Sequence, residues 1–288
     1  MARFGPSGNS ESYHQMGVKN TETAAAVTRK LGLDIYEYSF GHGVTMSSER
    51  ARSIGEAFRR EGLEISVHAP YFINFANTDP DMIVKSFGWV EKSAVKVLEM
   101  GGRRVVFHPA TQGKFEREDA KRLMLDNIRR MADVMAEMPE ELMLCVETMG
   151  KVVQMGTVAE VCEICNLSDR IYPCVDFGHV NAREQGILRT KKDFEAIFQY
   201  LDDHIDAHKV DNMHIHFSKI AYSQKGEIRH LNFDDTFYGP DYHPLVEVLH
   251  ERGSNAYCIC ESAGNQAEDA RAMKDYYAVS YTHLTLPT

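Results

Sequence analysis

The chain has 288 residues, 43% of them hydrophobic and 26% charged, which fits a soluble globular protein with a sizeable core, built as one large domain or two small ones. No apolar run approaches the roughly 20 residues that a membrane-spanning helix needs. The formal charge of −10 argues against a nucleic-acid coat protein, and it leaves room for a local basic groove or an acidic metal site.

Met1 to Asn9 carries no basic segment followed by an apolar one, so no secretory signal is read and a cytoplasmic location is expected. The six cysteines, at positions 145, 162, 165, 174, 258 and 260, fall mostly inside apolar runs. They read as buried free thiols of a reducing compartment. Ser280 to Thr288 continues no pattern before it and is expected to be a non-native tail, leaving a single domain over residues 1–279.

In chain order, Ala2 to Ser7 reads as a strand entering the turn Gly5-Pro6-Ser7-Gly8-Asn9, and Thr21 to Leu31 as a helix with an apolar stripe. Asp34 to Phe40 reads as a strand. Ser47 caps a helix that runs to about Arg60 and stops at Gly62. The alternation then repeats. Strands are expected at Glu64–His68, Arg104–His108, Glu141–Glu147, Ile171–Asp176, Asn212–His216 and Ala256–Glu261. The helices between and after them are Asp79–Met100, Glu116–Met138, Thr157–Asn166, Lys191–Asp203, Asp241–Arg252 and Gln266–Val279. The strands are short and nearly continuously apolar, as buried parallel strands are. Strand–helix alternation of this length predicts an α/β protein, a (β/α)8 TIM barrel. The alternative, a doubly wound open sheet, usually carries a glycine-rich phosphate loop after its first strand, and Phe4-Gly5-Pro6-Ser7-Gly8 does not fit one.

Six consecutive strands close on a histidine or a carboxylate: His68, His108, Glu147, Asp176, His216 and Glu261. In a barrel these ends converge on one face, where active sites are built. Carboxylates crowded there would repel one another and push their pKa values up. Divalent cations relieve that repulsion, and a mixed imidazole–carboxylate set suits more than one such metal with a shared carboxylate as bridge. A single histidine or glutamate at a strand end is ordinarily a hydrogen-bonded structural residue; six in succession point to a metal site.

Ser66-Val67-His68-Ala69-Pro70-Tyr71-Phe72-Ile73-Asn74, with Val106-Phe107-His108-Pro109, Glu147-Thr148-Met149 and Asp176-Phe177-Gly178-His179, resembles the endonuclease IV family. These are zinc-dependent apurinic/apyrimidinic endonucleases of the xylose-isomerase-like barrel superfamily. The resemblance implies a trinuclear zinc site. His68, His108 and Glu147 would hold the first ion. Glu147, Asp176, His214 and Glu261 would hold the second, with Glu147 bridging. His179 and His230 would hold the third. On the seventh strand His214 and His216 share a face; strand-end position favours His216, and the family's His-x-x-x-Ser-Lys spacing, met by His214, Ser218 and Lys219, assigns His214. The family's third ion uses an Asp-x-His pair. Here Ile228-Arg229-His230 lacks the aspartate, and whether the longer, displaced Glu227 reaches is left open by the sequence.

The same resemblance implies that a metal-activated hydroxide attacks the phosphate of duplex DNA at an abasic site. Glu147 and Glu261 would act as the catalytic carboxylates, and Tyr71 and Phe72 would wedge into the base stack. Zinc is the implied cation, at two sites with a third open; manganese also suits the donor set. A monomer with no membrane association is expected. Lys219 could contact phosphate or lie solvated, and Arg103-Arg104, Arg129-Arg130 and Lys191-Lys192 read as solvated faces. Cys162-x-x-Cys165 has no second pair and reads as buried thiols. The rival function is a divalent-metal sugar isomerase or epimerase of the same superfamily; a non-catalytic metal-binding domain would need a closed, fully protein-ligated site.

Overall fold

The computed structural model describes residues 1–41 and 43–284. Its centre is an eight-stranded parallel sheet. The strands are β1 (Arg3–Pro6), β2 (Ile35–Ser39), β3 (Glu64–His68), β4 (Arg104–Phe107), β5 (Met143–Glu147), β6 (Ile171–Asp176), β7 (His214–Phe217) and β8 (Tyr257–Cys260). From β2 to β8 each strand pairs with its sequence neighbour, and β8 pairs with β1. The ring is completed between β1 and β2 by a parallel bridge from Ser7 to Glu37 and by backbone hydrogen bonds Asp34 N–H to Phe4 O and Gly8 N–H to Glu37 O, both 2.9 Å. A Cβ at Gly5 would sit 1.8 Å from Ile35 O, so only glycine lets the two strands approach closely enough to shut the ring. The expected (β/α)8 barrel is the observed one.

Local chemistry starts the helices where the sequence predicts. Ser47 Oγ accepts the N–H of Arg50, and Asn20 and Thr157 form capping boxes with Thr23 and Glu160. The helices bury their apolar faces against the outside of the barrel. The helix Arg117–Met135 does so with Ala120, Met124, Ile128, Met131 and Met135, at the three- and four-residue spacing of one helical face. The methionines here fill the core, as expected. All six cysteines are free and buried.

Strand alternation sorts every second residue into the barrel lumen. The lumen is therefore layered. At its lower end the Arg104 guanidinium lies 3.7 Å from the centre of the Tyr257 ring and donates to Asn212 O at 2.7 Å. Above it pack Val106, Cys145 and Cys174, and beside them Ile35 and Ile259. Arg104 is thus no solvated surface residue, contrary to expectation: its place at the start of an apolar strand turns it inward. Two residues further along each strand come the polar groups of the barrel mouth.

Several elements escape the sequence pattern. A short helix, Phe177–Arg183, follows β6, and a hairpin, Lys219–Ser223 with Gly226–Leu231, follows β7. A two-residue pairing joins Ala110–Thr111 to Gln154–Met155. The last helix runs from Gln266 to Leu284, beyond the Val279 expected from periodicity, since extending a formed helix fixes only one residue per added hydrogen bond. The tail expectation for 280–288 otherwise falls on residues 285–288, outside the described ones.

Candidate metal centre

Glu147 is the hub of the barrel mouth. It ends β5 with a side chain only 1% exposed. His68 Nε2 and His108 Nε2 both lie 3.0 Å from its Oε2. His179 Nδ1 lies 3.2 Å and His216 Nδ1 3.3 Å from its Oε1. Three of these imidazoles come from strand ends, and His179 comes from the short helix that follows β6.

Three ligand sets share this hub or border it. His68, His108 and Glu147 form the first; Glu147, Asp176, His216 and Glu261 the second; His179, Glu227 and His230 the third. Within each set one possible ligand atom per residue lies within 4.8 Å of the others. Asp176 Oδ2 is buried and has no hydrogen-bond partner. A buried carboxylate oxygen without a hydrogen bond is costly; His179 Nδ1 at 3.3 Å offsets part of that cost, and a cation at the second set would supply the rest. The nitrogen-and-oxygen donor sets suit zinc or manganese, so the residues present fit a divalent-metal centre.

The structure differs from the expectation at the seventh strand. His216, not His214, faces Glu147 and Glu261. In register His216 stands beside Asp176 on β6, and His214 stands beside Cys174, one layer deeper. His214 is fully buried and its Nε2 lies 2.9 Å from Glu37 Oε2. It also falls within 4.8 Å of ligand atoms of Cys174 and His216, so it lines the floor below the second set. Strand-end position was the better guide, because the barrel layer is fixed by register and not by spacing to a downstream Ser-Lys.

The third set is completed by Glu227. Its Oε2 lies 3.4 Å from His179 Nε2 and its Oε1 3.8 Å from His230 Nε2. The hairpin bulge between Ala221 and Tyr222 shifts the register at this end, and the longer side chain covers the one-residue displacement. Gly150 makes room: a Cβ there would lie 2.8 Å from both Glu227 Cβ and His179 Cδ2. His179 Nδ1 faces Thr148 O at 2.9 Å, and His230 Nδ1 faces Ser218 Oγ at 2.9 Å. Each ring thereby keeps its Nε2 edge towards Glu227.

The electrostatics differ in part from a simple crowd of carboxylates. Burial pushes the Asp176 carboxyl up, and the neighbouring Glu261 and Glu147 add to it. Burial would raise Glu147 as well, but His108 and His216 hold it well below the usual range. Glu261 is likewise held down, against burial, by His216 and His230. The carboxylates in turn raise their partners. Burial opposes protonation of His68, yet Glu147 pushes its pKa up to about 9, and His179 and His216 also rise. Bound cations would take the place of those protons.

The mouth opens as a cleft of about 350 Å³ lined by Tyr71, Lys151, Gln154, the first and third sets and, from the second, Glu147 and Glu261; Asp176 and His216 are buried behind them. Tyr71 and Phe72 are 50% and 43% exposed, their rings 4.2 Å apart, and Phe72 leans on Trp89 at 5.7 Å. Lys219 is neither solvated nor in the cleft: its Nζ donates to Phe233 O at 2.8 Å and also to Asp235 O. A separate apolar groove lined by Val158, Val180, Ile187 and Tyr200 brings no ligand set together.

The sequence model of the family described as xylose isomerase-like TIM barrel matches residues 25–277. An uncharacterized protein of Methanocaldococcus jannaschii is 31% identical over 253 residues, which span 88% of this chain and 90% of that protein. A probable endonuclease 4 of Acholeplasma laidlawii is 26% identical over 214 residues, 72% of this chain and 69% of its own length. Among solved structures, an L-ribulose 3-epimerase superposes with a TM-score of 0.68 at 15% identity, covering 99% of this chain and 97% of that one. Endonuclease IV from Thermus thermophilus does so with a TM-score of 0.62 at 15% identity, covering 98% of each. At such identities the superpositions speak for the fold alone.

Proposed function

The chain belongs to the xylose isomerase-like TIM barrel family, and within it we propose that it is a divalent-metal phosphodiesterase of the endonuclease IV type, acting on duplex DNA at abasic sites. The observation that carries this reading is the number of ligand sets at the mouth: three, two of them joined through Glu147. A sugar isomerase or epimerase with one metal would use Glu147, Asp176, His216 and Glu261, and would leave His68, His108, His179 and His230 without a task. That second reading is favoured by the completeness of this one set and by the net charge of −10.

Cations held by the three sets would acidify water towards neutral pH and neutralise charge building up on phosphoryl oxygens. The residues divide the remaining work. Glu147, enclosed and touched by four imidazoles, fixes the geometry of the mouth. Glu261 lines the cleft and is 17% exposed, its Oε1 accepting from Ser7 Oγ at 3.3 Å and lying 3.6 Å from His216 Nδ1. It is the carboxylate able to take a proton from an attacking water. Tyr71 and Phe72 stand at the rim as stacking surfaces for bases beside the lesion, where unstacking costs least.

The test is a duplex carrying one tetrahydrofuran abasic analogue, incubated with the protein with and without chelator, alongside metal content per chain. Chelator-sensitive nicking with two or three ions per chain is expected. No nicking at any enzyme concentration, with one bound ion, would sink the nuclease and favour the isomerase.

A further inference from the structure

We propose that Glu37 is a positioning residue: its carboxylate, inside the barrel, holds His214 and His216 as a pair and keeps the Nδ1 edge of His216 turned to Glu147 and Glu261. The proposal rests on reading the His216 set as a cation site. Glu37 sits in the middle of its strand, not at the end, and lies directly beneath the mouth. It sits on β2, in register with Ser66 on β3, and its side chain is fully buried. Ser66 Oγ donates to its Oε2 at 2.8 Å. His214 Nε2 lies 2.9 Å from the same oxygen, and His216 Nε2 lies 2.9 Å from Oε1.

A carboxylate shut away from water costs several kcal/mol unless it is compensated. One hydroxyl does not suffice, and the two imidazoles are the cationic or N–H-bearing groups in reach. Their N–H directions lie off the line to the oxygens, for Glu37 Oε1, His214 Nε2 and His216 Nε2 have no aligned hydrogen bond. Contacts at 2.9 Å still compensate the carboxylate through the ring N–H dipoles, with no charge on His214, whose pKa burial pushes down to about 4. An imidazole has one nitrogen for a proton and one for a metal. Whichever faces a carboxylate keeps the proton, and the opposite edge presents its lone pair. On His216 the Glu37 side is Nε2. The other edge, Nδ1, also faces carboxylates, at hydrogen-bond reach of Glu147 Oε1, 3.3 Å, and 3.6 Å from Glu261 Oε1; a cation bound at that edge would displace its proton and leave the ring's N–H on the Glu37 side. His214, held by the same carboxylate and its ring centre 5.2 Å from that of His216 in an edge-to-face arrangement, blocks His216 from turning downward.

The test uses the full chain as wild type, Glu37→Gln, Glu37→Leu and His216→Asn. Glutamine keeps the shape but offers one acceptor for two rings; leucine offers none. Each protein is titrated with Co²⁺, followed by its visible absorption, with circular dichroism as the check on folding. Both Glu37 variants are expected to weaken one cobalt site by about 10–100-fold and leave the others unchanged. On a His216→Asn background they should add nothing. In ¹⁵N-labelled protein the His216 Nε2–H should be protected from exchange in wild type and lose that protection in Glu37→Leu, or in Glu37→Gln should the leucine variant not fold. Unchanged cobalt affinity in the folded variants overturns the proposal. A wild type that takes up no divalent ion ends the cation-site reading instead. The Nε2–H then decides alone: protection that depends on Glu37 upholds the positioning role, and protection independent of Glu37 removes it.

Discussion

Asp176 Oδ1 accepts the backbone N–H of His179 at 2.8 Å, so the residue that ends β6 also starts the helix that carries the next ligand. Its other oxygen, Oδ2, lies 3.3 Å from His179 Nδ1 and faces the second ligand set. One side chain thus links the inner ligand sets to the outer one, through the backbone on one side and through charge on the other.

The two jobs of Asp176 separate by mutation. Asparagine still caps the helix but brings no charge; alanine does neither. Both should lower the metal content by about one ion per chain. Only Asp176→Ala should also lose about 1 kcal/mol of folding stability, the usual worth of an N-cap. Metal analysis with denaturant unfolding of the chelated proteins checks this. Equal stability of the two variants would show that the cap is idle.

Glu227 should carry the outer cation. Glu227→Ala is expected to reduce bound metal by one ion per chain while leaving the His68–His108–Glu147 set filled. Gly150→Ala should act in the same direction, because its new methyl meets Glu227 and His179. Full metal content in both variants would place the outer ion elsewhere.

Tyr71→Ala and Phe72→Ala should leave metal content unchanged and weaken binding of an abasic duplex. Loss of an aromatic stacking partner is worth about 1–3 kcal/mol per base, that is, about 5- to 150-fold in Kd. Fluorescence anisotropy with metal-loaded protein and an uncleavable phosphorothioate duplex reads the effect. Equal affinity for an undamaged duplex in wild type and variants is expected as the control.

Glu160 predicts an acid-dependent stability. It anchors the loop after β5: its Oε2 accepts the N–H of Gly156 at 2.7 Å and of Thr157 at 2.9 Å, and Arg117 meets both of its oxygens. Burial would raise its carboxyl, but these donors hold it below the ordinary value of 4.5. A depressed folded-state pKa adds stability above the unfolded value, and that stability is lost as pH falls through the folded one. Glu160→Gln should therefore cost about 2 kcal/mol near pH 7, the worth of a charged hydrogen bond, and the gap to wild type should narrow below about pH 4. Urea titrations across pH 3–7 test the sign; a gap that widens in acid contradicts it.

Much of this site is legible in the sequence because β-strands alternate. An apolar run ending in His68, His108, Glu147 or Asp176 places that residue in the lumen at the mouth, whatever lies between the runs. The same rule would have chosen His216 over His214. Spacing to Ser218 and Lys219 misled because it counts along the chain, whereas the barrel layer is set by pairing across strands. Glu227 was not assignable, since a bulge in a solvent-facing hairpin decides its register. Glu37 carries a signal that was passed over: a lone carboxylate at an inward position within Ile35-Tyr36-Glu37-Tyr38, an otherwise apolar strand. A charge buried there needs a partner, and the two histidines of β7 are that partner.

The closeness of Gly5 to Ile35 has a consequence for the order of events as the chain folds. The ligands run from His68 to Glu261, and Glu261 is set beside His216 by the pairing of β8 with β7, while Ser7 comes beside it only when β8 also pairs with β1. The close approach at Gly5 seats β1 against its near neighbour β2, and the pairing of β1 with β8, at the far end of the chain, turns a curled ribbon into a ring. Contacts that join such distant parts of a chain form late. The second ligand set draws on β5 to β8 alone, so a coloured metal such as cobalt taken up there would mark the assembly of those strands, ahead of the closure onto β1.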